Sequence, residues 1–316
     1  MSRRDFLRNA AEFTGYCGIV TLISWLPLRL GLAVGRGLAA LTYVLDRPHR
    51  RTTLENLRMA LNLPDAEARA LARRIYRHFG EVFVEATHLW YRMSGANMSR
   101  FVKVIGIEHV EAAKREGRGI LFVTAHYGNW EMGGLAIGWL CGGLVGVKPE
   151  GRNPLIEKWV TGFRARGGIR MIPRAGAMRE MMRTLRRGGV VGILTDQDAH
   201  DYGIIVPFFG IPASTVPTAA WLAMSTGAPV IFGFARRAGV MQYEVHCLPP
   251  FHVGGAGDRE QTVKAVTEQL NLALEKVIRA EPDQWMWPHR RWKSGLKAQA
   301  ALLSGRKQSP APPRAA

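Results

Sequence analysis

The chain has 316 residues, enough for one large α/β domain or two small ones, and its 47% hydrophobic content excludes a chain that is disordered throughout. Lysine and arginine total 43 against 25 acidic residues, and the net charge of +18 favours anionic partners: nucleic acid, lipid headgroups, phosphorylated substrates or an acidic protein. The three cysteines, Cys17, Cys141 and Cys247, have no paired spacing, which excludes a disulfide framework and a cysteine-based zinc site and suits a reducing compartment.

The N-terminal residues indicate a membrane anchor or an export signal. Ser2–Leu7 resembles a twin-arginine export signal, although a basic flank before a membrane-seeking helix explains the same residues. Residues 13–45 are largely apolar, but Pro27, Arg29 and Arg36 interrupt them, and a clean span needs about 20 apolar residues. We predict that residues 1–45 form an anchor that either spans with snorkelling arginines or lies as a bent interfacial hairpin.

Strand and helix signals alternate over residues 46–300. A helical apolar stripe occupies positions 71, 75, 79, 82, 86 and 89. Strands are predicted at FVKVIG, ILFVTA, GLVGVK, IRMIP, VVGILTD, PVIFGFAR and YEVHCLP, and helices over 108–116, 154–166, 177–187, 215–226 and 261–279. The alternation predicts an α/β domain with a mainly parallel central sheet flanked by helices and joined by right-handed crossovers. The Pro- and Ala-rich residues 301–316 predict a disordered tail.

The segment HYGNWE follows a strand predicted to be buried on both faces. His126 stands at the carboxyl end of that strand, where open α/β sheets bind ligands. Gly128 permits a tight turn, and Asn129 can cap the next helix, whose first turn then holds Glu131. A carboxylate beside an imidazole makes a general base for a hydroxyl. The spacing alone is weak evidence, because about one such match arises by chance and most histidines serve packing or the surface.

A second apolar strand runs into Asp196, and Asp198 follows it. This Asp-x-Asp could hold a divalent metal against a nucleotide sugar, as in many glycosyltransferases. Alternatively, the carboxylates position basic side chains around an anionic substrate, or the segment is a polar loop. The apolar residues 207–211 come next and predict a loop suited to an acyl chain or a membrane.

Two basic segments allow further interpretations. The predicted helix 177–187 has an apolar stripe and an arginine-rich face, which is either solvated or meets an acidic carrier protein or lipid phosphate. Residues 285–293 interleave three tryptophans with basic residues. This pattern suits a membrane interface, single-stranded nucleic acid or a structural C-terminal turn.

Several blocks together resemble the bacterial lipid A biosynthesis (late) acyltransferases, within the lysophospholipid acyltransferase superfamily. The blocks are HYGNWE, TDQD with the following DYG and VPFFGIPASTVPTAAWLA, and EPDQWMWPHRRWK, in family order. The segment NPLIEKWVTGFRARGG also fits, with Arg164 and Arg166 at the family's basic pair. The resemblance extends from the N-terminal anchor to about Lys293.

The resemblance implies transfer of a fatty acyl chain from acyl-acyl carrier protein to a hydroxyl of a lipid A precursor, at the cytoplasmic face of the inner membrane. It implies that His126 is the general base and that Glu131 orients and polarises it. Arg164, with Arg166, would stabilise the oxyanion, together with backbone amides near Gly128. Asp196 would hold that arginine or the acceptor headgroup.

Further substrate contacts are expected from Arg166, Asn129, Asp198, Tyr202 and Phe208. No cofactor and no metal is required, no nucleic acid is invoked, and a monomer is expected that binds acyl carrier protein and anionic lipid. Three alternatives stay open: a metal-dependent glycosyltransferase using Asp196 and Asp198, a lysophospholipid acyltransferase using acyl-coenzyme A, and a lipid- or nucleic-acid-binding module without activity.

Overall fold

A computed structural model describes residues 3–148, 153–254 and 257–304. Its N-terminal part is helical: α1 (Arg3–Trp25), α2 (Leu28–Leu45), α3 (Arg47–Leu61) and α4 (Asp65–Arg92). Pro27 separates α1 from α2, because a proline cannot donate a backbone hydrogen bond and disfavours helix in the residue before it. The Asp46 carboxylate caps α3 by accepting the His49 amide hydrogen at 3.2 Å.

The strands that follow are β1 (Val102–Ile105), β2 (Ile120–Thr124), β3 (Leu144–Val147), β4 (Ile169–Ile172), β5 (Val190–Leu194), β6 (Ile204–Phe208), β7 (Ile211–Thr215), β8 (Val230–Gly239) and β9 (Gln242–Cys247). Seven of them form one sheet in the order β1-β9-β8-β2-β5-β3-β4. Neighbouring strands in this sheet run parallel except β8 and β9, which are antiparallel. The predicted α/β fold with a mainly parallel sheet is therefore confirmed.

The remaining helices flank the sheet: α5 (Ile107–Arg115), α6 (Trp130–Cys141), α7 (Pro154–Arg166), α8 (Ala177–Arg186), α9 (Thr218–Thr226), α10 (Arg259–Ala280) and α11 (Lys293–Leu303). The predicted helices are present with small boundary shifts. The helix predicted from residue 215 begins at Thr218, because β7 occupies residues 211–215. The predicted tail 301–316 begins inside α11, and residues 305–316 lie outside the described residues.

Strand β2 lies at the centre of the sheet and supplies both sides of the core. Leu121 and Val123 belong to the larger apolar cluster, which covers one face of the sheet. Ile120 and Phe122 belong to a second cluster on the other face. Successive side chains of a strand point to opposite faces, so a continuous apolar run is what a doubly covered strand requires. The prediction for β2 is confirmed by this burial.

Strands β6 and β7 form a separate antiparallel hairpin. Phe209 and Gly210 make its turn with φ of 56° and 72°, so the pair lies in the left-handed region that tight hairpins use. The prediction that residues 207–211 form a loop suited to an acyl chain or a membrane is wrong. Phe208 is 0% exposed and Phe209 is 8% exposed, because both pack in the main core.

Helix α2 is the one helix among the described residues whose length and composition would allow it to cross a membrane. About a fifth of it, 22%, is buried inside the protein. The length and composition of α2 fit a membrane anchor in residues 1–45, which stays a prediction.

Candidate active site

The site is built where two neighbouring parallel strands end. Strands β2 and β5 pair in register, with Thr124 opposite Leu194 at their last residues. His126 follows β2 by two residues and Asp196 follows β5 by two residues, so the register itself brings the two together. This position at the carboxyl edge of the sheet is the one the sequence predicts for both.

Asp196 binds His126 through both of its oxygens. Its Oδ1 lies 2.9 Å from Nδ1 of the imidazole, and its Oδ2 accepts the His126 backbone amide hydrogen at 2.9 Å. The indole Nε1 of Trp285 donates to the same Oδ2, also at 2.9 Å. Because Asp196 is only 2% exposed, these donors replace water around a buried carboxylate.

The pKa values of Asp196 and His126 are both shifted from their ordinary values. Burial by itself raises the pKa of Asp196, but the charge and hydrogen bonds of His126 and the indole hydrogen bond of Trp285 lower it to about 2. Burial likewise lowers the pKa of His126, but the attraction of the Asp196 carboxylate outweighs it and raises that pKa above the ordinary value. Asp196 therefore stays ionised at neutral pH and makes the imidazole a stronger base.

The remaining imidazole nitrogen belongs to a side chain that is partly exposed. With Nδ1–H donating to Asp196, Nε2 keeps its lone pair, and it makes no hydrogen bond to any residue in the described ranges. The His126 side chain is 21% exposed, and the Trp130 ring lies edge-on to it with centroids 5.0 Å apart. Nε2 can therefore accept a proton from a group that reaches this partly exposed imidazole.

Glu131 does not contact the imidazole as expected. Its Oε2 accepts from Nε of Arg164 at 2.9 Å and its Oε1 accepts from Nη2 at 2.5 Å, a two-point ion pair between α6 and α7. The expectation that Glu131 holds His126 is therefore wrong for this geometry, and so is the expectation that Asp196 holds Arg164. Asp196 binds His126 and Glu131 binds Arg164, the reverse of the expected pairing. Through space, Glu131 still raises the pKa of His126 and Arg164 lowers it.

Aromatic stacking fixes α7, which carries Arg164. The ring of Trp90 in α4 stacks on Trp159 and on Phe163 with centroid distances of 3.9 and 3.6 Å. Arg166 donates to the backbone carbonyls of Trp90 and Met93 at the end of α4. Arg166, which was expected to bind substrate, therefore satisfies helix-terminal carbonyls and anchors α7 against α4.

The other residues predicted to contact substrate are either buried in the fold or exposed elsewhere on the surface. Asn129 is 2% exposed, and its side chain caps α6 by accepting the Met132 amide hydrogen at 3.3 Å, as its position predicts. Asp198 is 7% exposed and accepts the Ser294 hydroxyl hydrogen at 2.8 Å. Tyr202 is exposed on the surface under the Arg174 guanidinium, and Phe208 is enclosed in the core.

The hydrogen-bond partners of Asp196 and Asp198 are relevant to the alternative of a metal-dependent glycosyltransferase. Asp196 has both oxygens engaged by protein donors, and Asp198 faces Ser294 and the His200 backbone. The oxygens of both carboxylates are therefore occupied by donors from the protein. No cluster of three or more potential metal ligands occurs within residues 3–148, 153–254 and 257–304.

Sequence reasoning missed Trp285 as a site residue. Trp285, Trp287 and Trp292 are each at most 1% exposed, and Arg291 is 0% exposed, so the interpretation of residues 285–293 as a membrane interface is wrong. A buried indole needs an acceptor for its N–H, and the acceptor here is 89 residues away in sequence. The tryptophan cluster was visible in the sequence, but no spacing rule connects it to Asp196.

The protein is thus an α/β protein whose mainly parallel sheet carries a histidine–carboxylate pair at its carboxyl edge. A family model described as bacterial lipid A biosynthesis acyltransferase matches residues 3–294, and the chain belongs to this family. It is accordingly an acyltransferase.

Similar proteins cover most of the chain. The lipid A biosynthesis lauroyltransferase of Escherichia coli (strain K12) is 29% identical over 284 residues, covering 88% of this chain and 90% of that protein. The lipid A biosynthesis palmitoleoyltransferase of the same strain is 25% identical over 304 residues, covering 95% and 97%. The phosphatidylinositol mannoside acyltransferase of Mycobacterium tuberculosis (strain CDC 1551 / Oshkosh) is 27% identical over 245 residues, covering 74% and 72%.

Proposed function

We propose that this chain transfers a fatty acyl group from acyl-acyl carrier protein to a hydroxyl of a lipid A precursor or related glycolipid, with His126 as general base. The observation that carries the proposal is the His126–Asp196 pair, in which Nδ1 is held by a buried carboxylate and Nε2 is left for a proton. Membership of the acyltransferase family supplies the reaction class.

The proposed reaction needs one proton carrier. Nε2 of His126 removes the proton of the acceptor hydroxyl as the oxygen attacks the thioester carbonyl, which gives a tetrahedral oxyanion and an imidazolium. Asp196 stabilises the imidazolium because its charge is already fixed beside Nδ1. Collapse of the intermediate breaks the carbon–sulfur bond, and the leaving thiolate takes the proton from His126, so the ester and the free thiol form and the base is restored.

Arg164 is the proposed stabiliser of negative charge. Its Nε and Nη2 bind Glu131, while Nη1 makes no hydrogen bond to another described residue. A two-point ion pair holds the guanidinium in one orientation, so the remaining N–H groups need little reorganisation to meet an oxyanion or an acceptor phosphate. In this account Glu131 positions Arg164 and Asp196 positions His126.

The acyl donor is inferred from the charge of α8, and the cellular location follows from the donor and the acceptor. The outer face of α8 and the residue after it expose four arginines, Arg179, Arg183, Arg186 and Arg187. A basic helix face complements an acidic carrier protein, which supports acyl carrier protein as the source of the thioester. A carrier-protein donor and a lipid acceptor are both reached at the cytoplasmic face of the inner membrane, where we place the enzyme.

The test is acyl transfer by the purified full chain, with radiolabelled lauroyl-acyl carrier protein or lauroyl-coenzyme A as donor and a lipid A precursor or a lysophospholipid as acceptor. We expect transfer from the carrier protein to the lipid A precursor, and a loss of about 10³-fold in His126→Ala. His252→Ala is the matched control, because His252 pairs with Glu116 on the surface. Folded His126→Ala protein with full activity would refute the proposal.

A further inference from the structure

The helices on either side of α2 are both attached to the α/β domain. On the N-terminal side, Nδ2 of Asn153 donates to the Asn9 carbonyl at 2.9 Å and to the Glu12 carboxylate at 3.0 Å. The Tyr16 ring meets the Trp159 ring edge-on, with centroids 5.4 Å apart. These contacts join α1 to the start and the middle of α7.

On the C-terminal side, α3 is attached just as firmly. Nδ2 of Asn56, which is 5% exposed, donates to the carbonyls of Trp287 and His289, both at 2.8 Å. Because α1 and α3 both contact the domain, they lie on the same side of any membrane that the domain does not cross. A single crossing by α2 would place one of them on the far side and break its contacts.

Helix α2 also packs backbone to backbone along α4. A Cβ added at Gly35 would lie 2.8 Å from the Gly80 carbonyl oxygen, and one added at Gly80 would lie 2.7 Å from the Gly35 oxygen. Beside this contact, Nε of Arg36 donates to Oε1 of Glu81 at 2.5 Å. Helix α4 continues into the core with Leu71 and Ile75, so α2 is fixed to the side of the domain.

The outward surface of α2 separates apolar from basic side chains. Exposed apolar residues recur at intervals of four, four, three and four, which places them on one face of the helix: Leu30, Val34, Leu38, Leu41 and Leu45. Arg29 and Arg36 are seven residues apart and share a different face. We call the five apolar residues, together with Trp25 at the end of α1, the anchor face; Trp25 is 83% exposed.

We propose that α2 lies in the plane of an anionic bilayer surface and does not cross the bilayer. The anchor face enters the boundary of the hydrocarbon, while Arg29 and Arg36 stay level with the lipid phosphates. In a crossing helix Arg36, the ninth of 18 residues, would sit near the bilayer centre at high cost. The net charge of +18 complements an anionic surface. The inference rests on the membrane location in the proposed function, but its tests need no acyl transfer.

The first test is co-flotation of the full chain with vesicles of phosphatidylethanolamine and phosphatidylglycerol. We expect the double variant that combines Val34→Lys with Leu38→Lys to lower the bound fraction at least tenfold, with an unchanged thermal unfolding midpoint. Leu272→Lys is the matched control, since Leu272 is 55% exposed on α10, away from the anchor face. Equal binding of the double variant and the parent protein would overturn the proposal.

The second test fixes the topology even if the lysine variants fold poorly. Ala11→Cys on α1 and Glu55→Cys on α3 replace exposed residues, in a background with Cys17→Ser and Cys141→Ser. Each is labelled with a membrane-impermeant maleimide in inverted and in right-side-out membrane vesicles. We expect both to react only in inverted vesicles. Labelling of the two positions from opposite sides would show that α2 crosses the membrane and would overturn the proposal, whatever the acyl transfer assay gives.

Discussion

Asp196 decides which nitrogen of His126 can accept a proton. Replacing the carboxylate with an amide, in Asp196→Asn, removes the charge that stabilises the imidazolium and permits the wrong tautomer. We expect kcat to fall about 10³-fold with little loss of folded protein. Asp198→Asn is the matched control: that carboxylate binds Ser294, so kcat should stay within about threefold of the parent value. Acyl transfer rates of the two variants measure this, and equal rates would contradict the assignment.

Trp285 supports the same carboxylate through one hydrogen bond. Trp285→Phe keeps most of the buried ring but removes the N–H that binds Asp196, so we expect kcat to fall about tenfold. Trp287→Phe removes an equally buried N–H that donates to the Pro282 carbonyl, and it should lower stability by about 1 kcal/mol while leaving kcat nearly unchanged. Steady-state kinetics with denaturant unfolding separates the two effects; a larger kcat loss in Trp287→Phe would count against a role for Trp285.

For single residues, the sequence predicts which side chains come together better than it predicts which of them pair by hydrogen bonds. His126, Asp196, Glu131 and Arg164 were all predicted as site residues, and the structure pairs His126 with Asp196 and Arg164 with Glu131. The pairing was predicted wrongly because a spacing of five residues shows that Glu131 can approach His126, while the in-register pairing of β2 with β5 that favours Asp196 is a tertiary property. Choosing between two nearby acids requires side-chain directions, which spacing does not carry.

The turn between β2 and α6 is the element that places His126. Gly128 has φ of 56°, and a Cβ there would lie 1.8 Å from the Ala235 backbone oxygen. Gly128→Ala should therefore cost about 3 kcal/mol or more of unfolding free energy and displace His126. Gly117→Ala is the control: its φ of 69° is similar, but nothing lies within 4 Å of its added Cβ, so only about 1–2 kcal/mol of backbone strain is expected. Equal losses in denaturant unfolding would contradict the steric argument.

Elements with a strong local pattern were predictable and those defined by packing were not. The apolar run of β2 and the Asn129 cap of α6 follow from residue order and are confirmed. Residues 207–211 were predicted to be a loop suited to an acyl chain or a membrane because they are too apolar for plain solvent exposure, but they belong to the β6–β7 hairpin. The tryptophans near the C-terminus bury the rings of Phe208 and Phe209: Phe208 stacks on Trp292 with ring centroids 5.7 Å apart. The two residues are far apart in the sequence, so no local sequence pattern predicts the contact.

Across the whole molecule, one buried ionic network joins the N-terminal helices to the sheet. Arg237 of β8 binds Glu85, which is 0% exposed, at 2.6 Å and Glu81 at 3.0 Å. The hydroxyl of Tyr243 donates to Glu85, and Arg36 of α2 reaches Glu81. Removing one member of such a network leaves a buried charge without its partner, which costs more than the intact pair contributes.

Arg237→Gln is therefore expected to lower the free energy of unfolding by about 3–5 kcal/mol. Arg183→Gln is the control, because Arg183 pairs with Glu180 on the surface and should change stability by less than about 1 kcal/mol. Urea denaturation of the full chain measures both values. If Arg237→Gln were no more destabilising than Arg183→Gln, the network would not hold the helices to the sheet.

The dependence of kcat/KM on pH tests most directly whether the neutral imidazole of His126 is the base. Activity should rise with pH as His126 loses its proton, and the parent midpoint should lie above about 6.5, because Asp196 raises the pKa of His126. Asp196→Asn removes the attraction that outweighs burial, so the midpoint of the residual activity should move to lower pH. A midpoint that stays in place in Asp196→Asn, or a rising limb that persists unchanged in His126→Ala, would contradict the account.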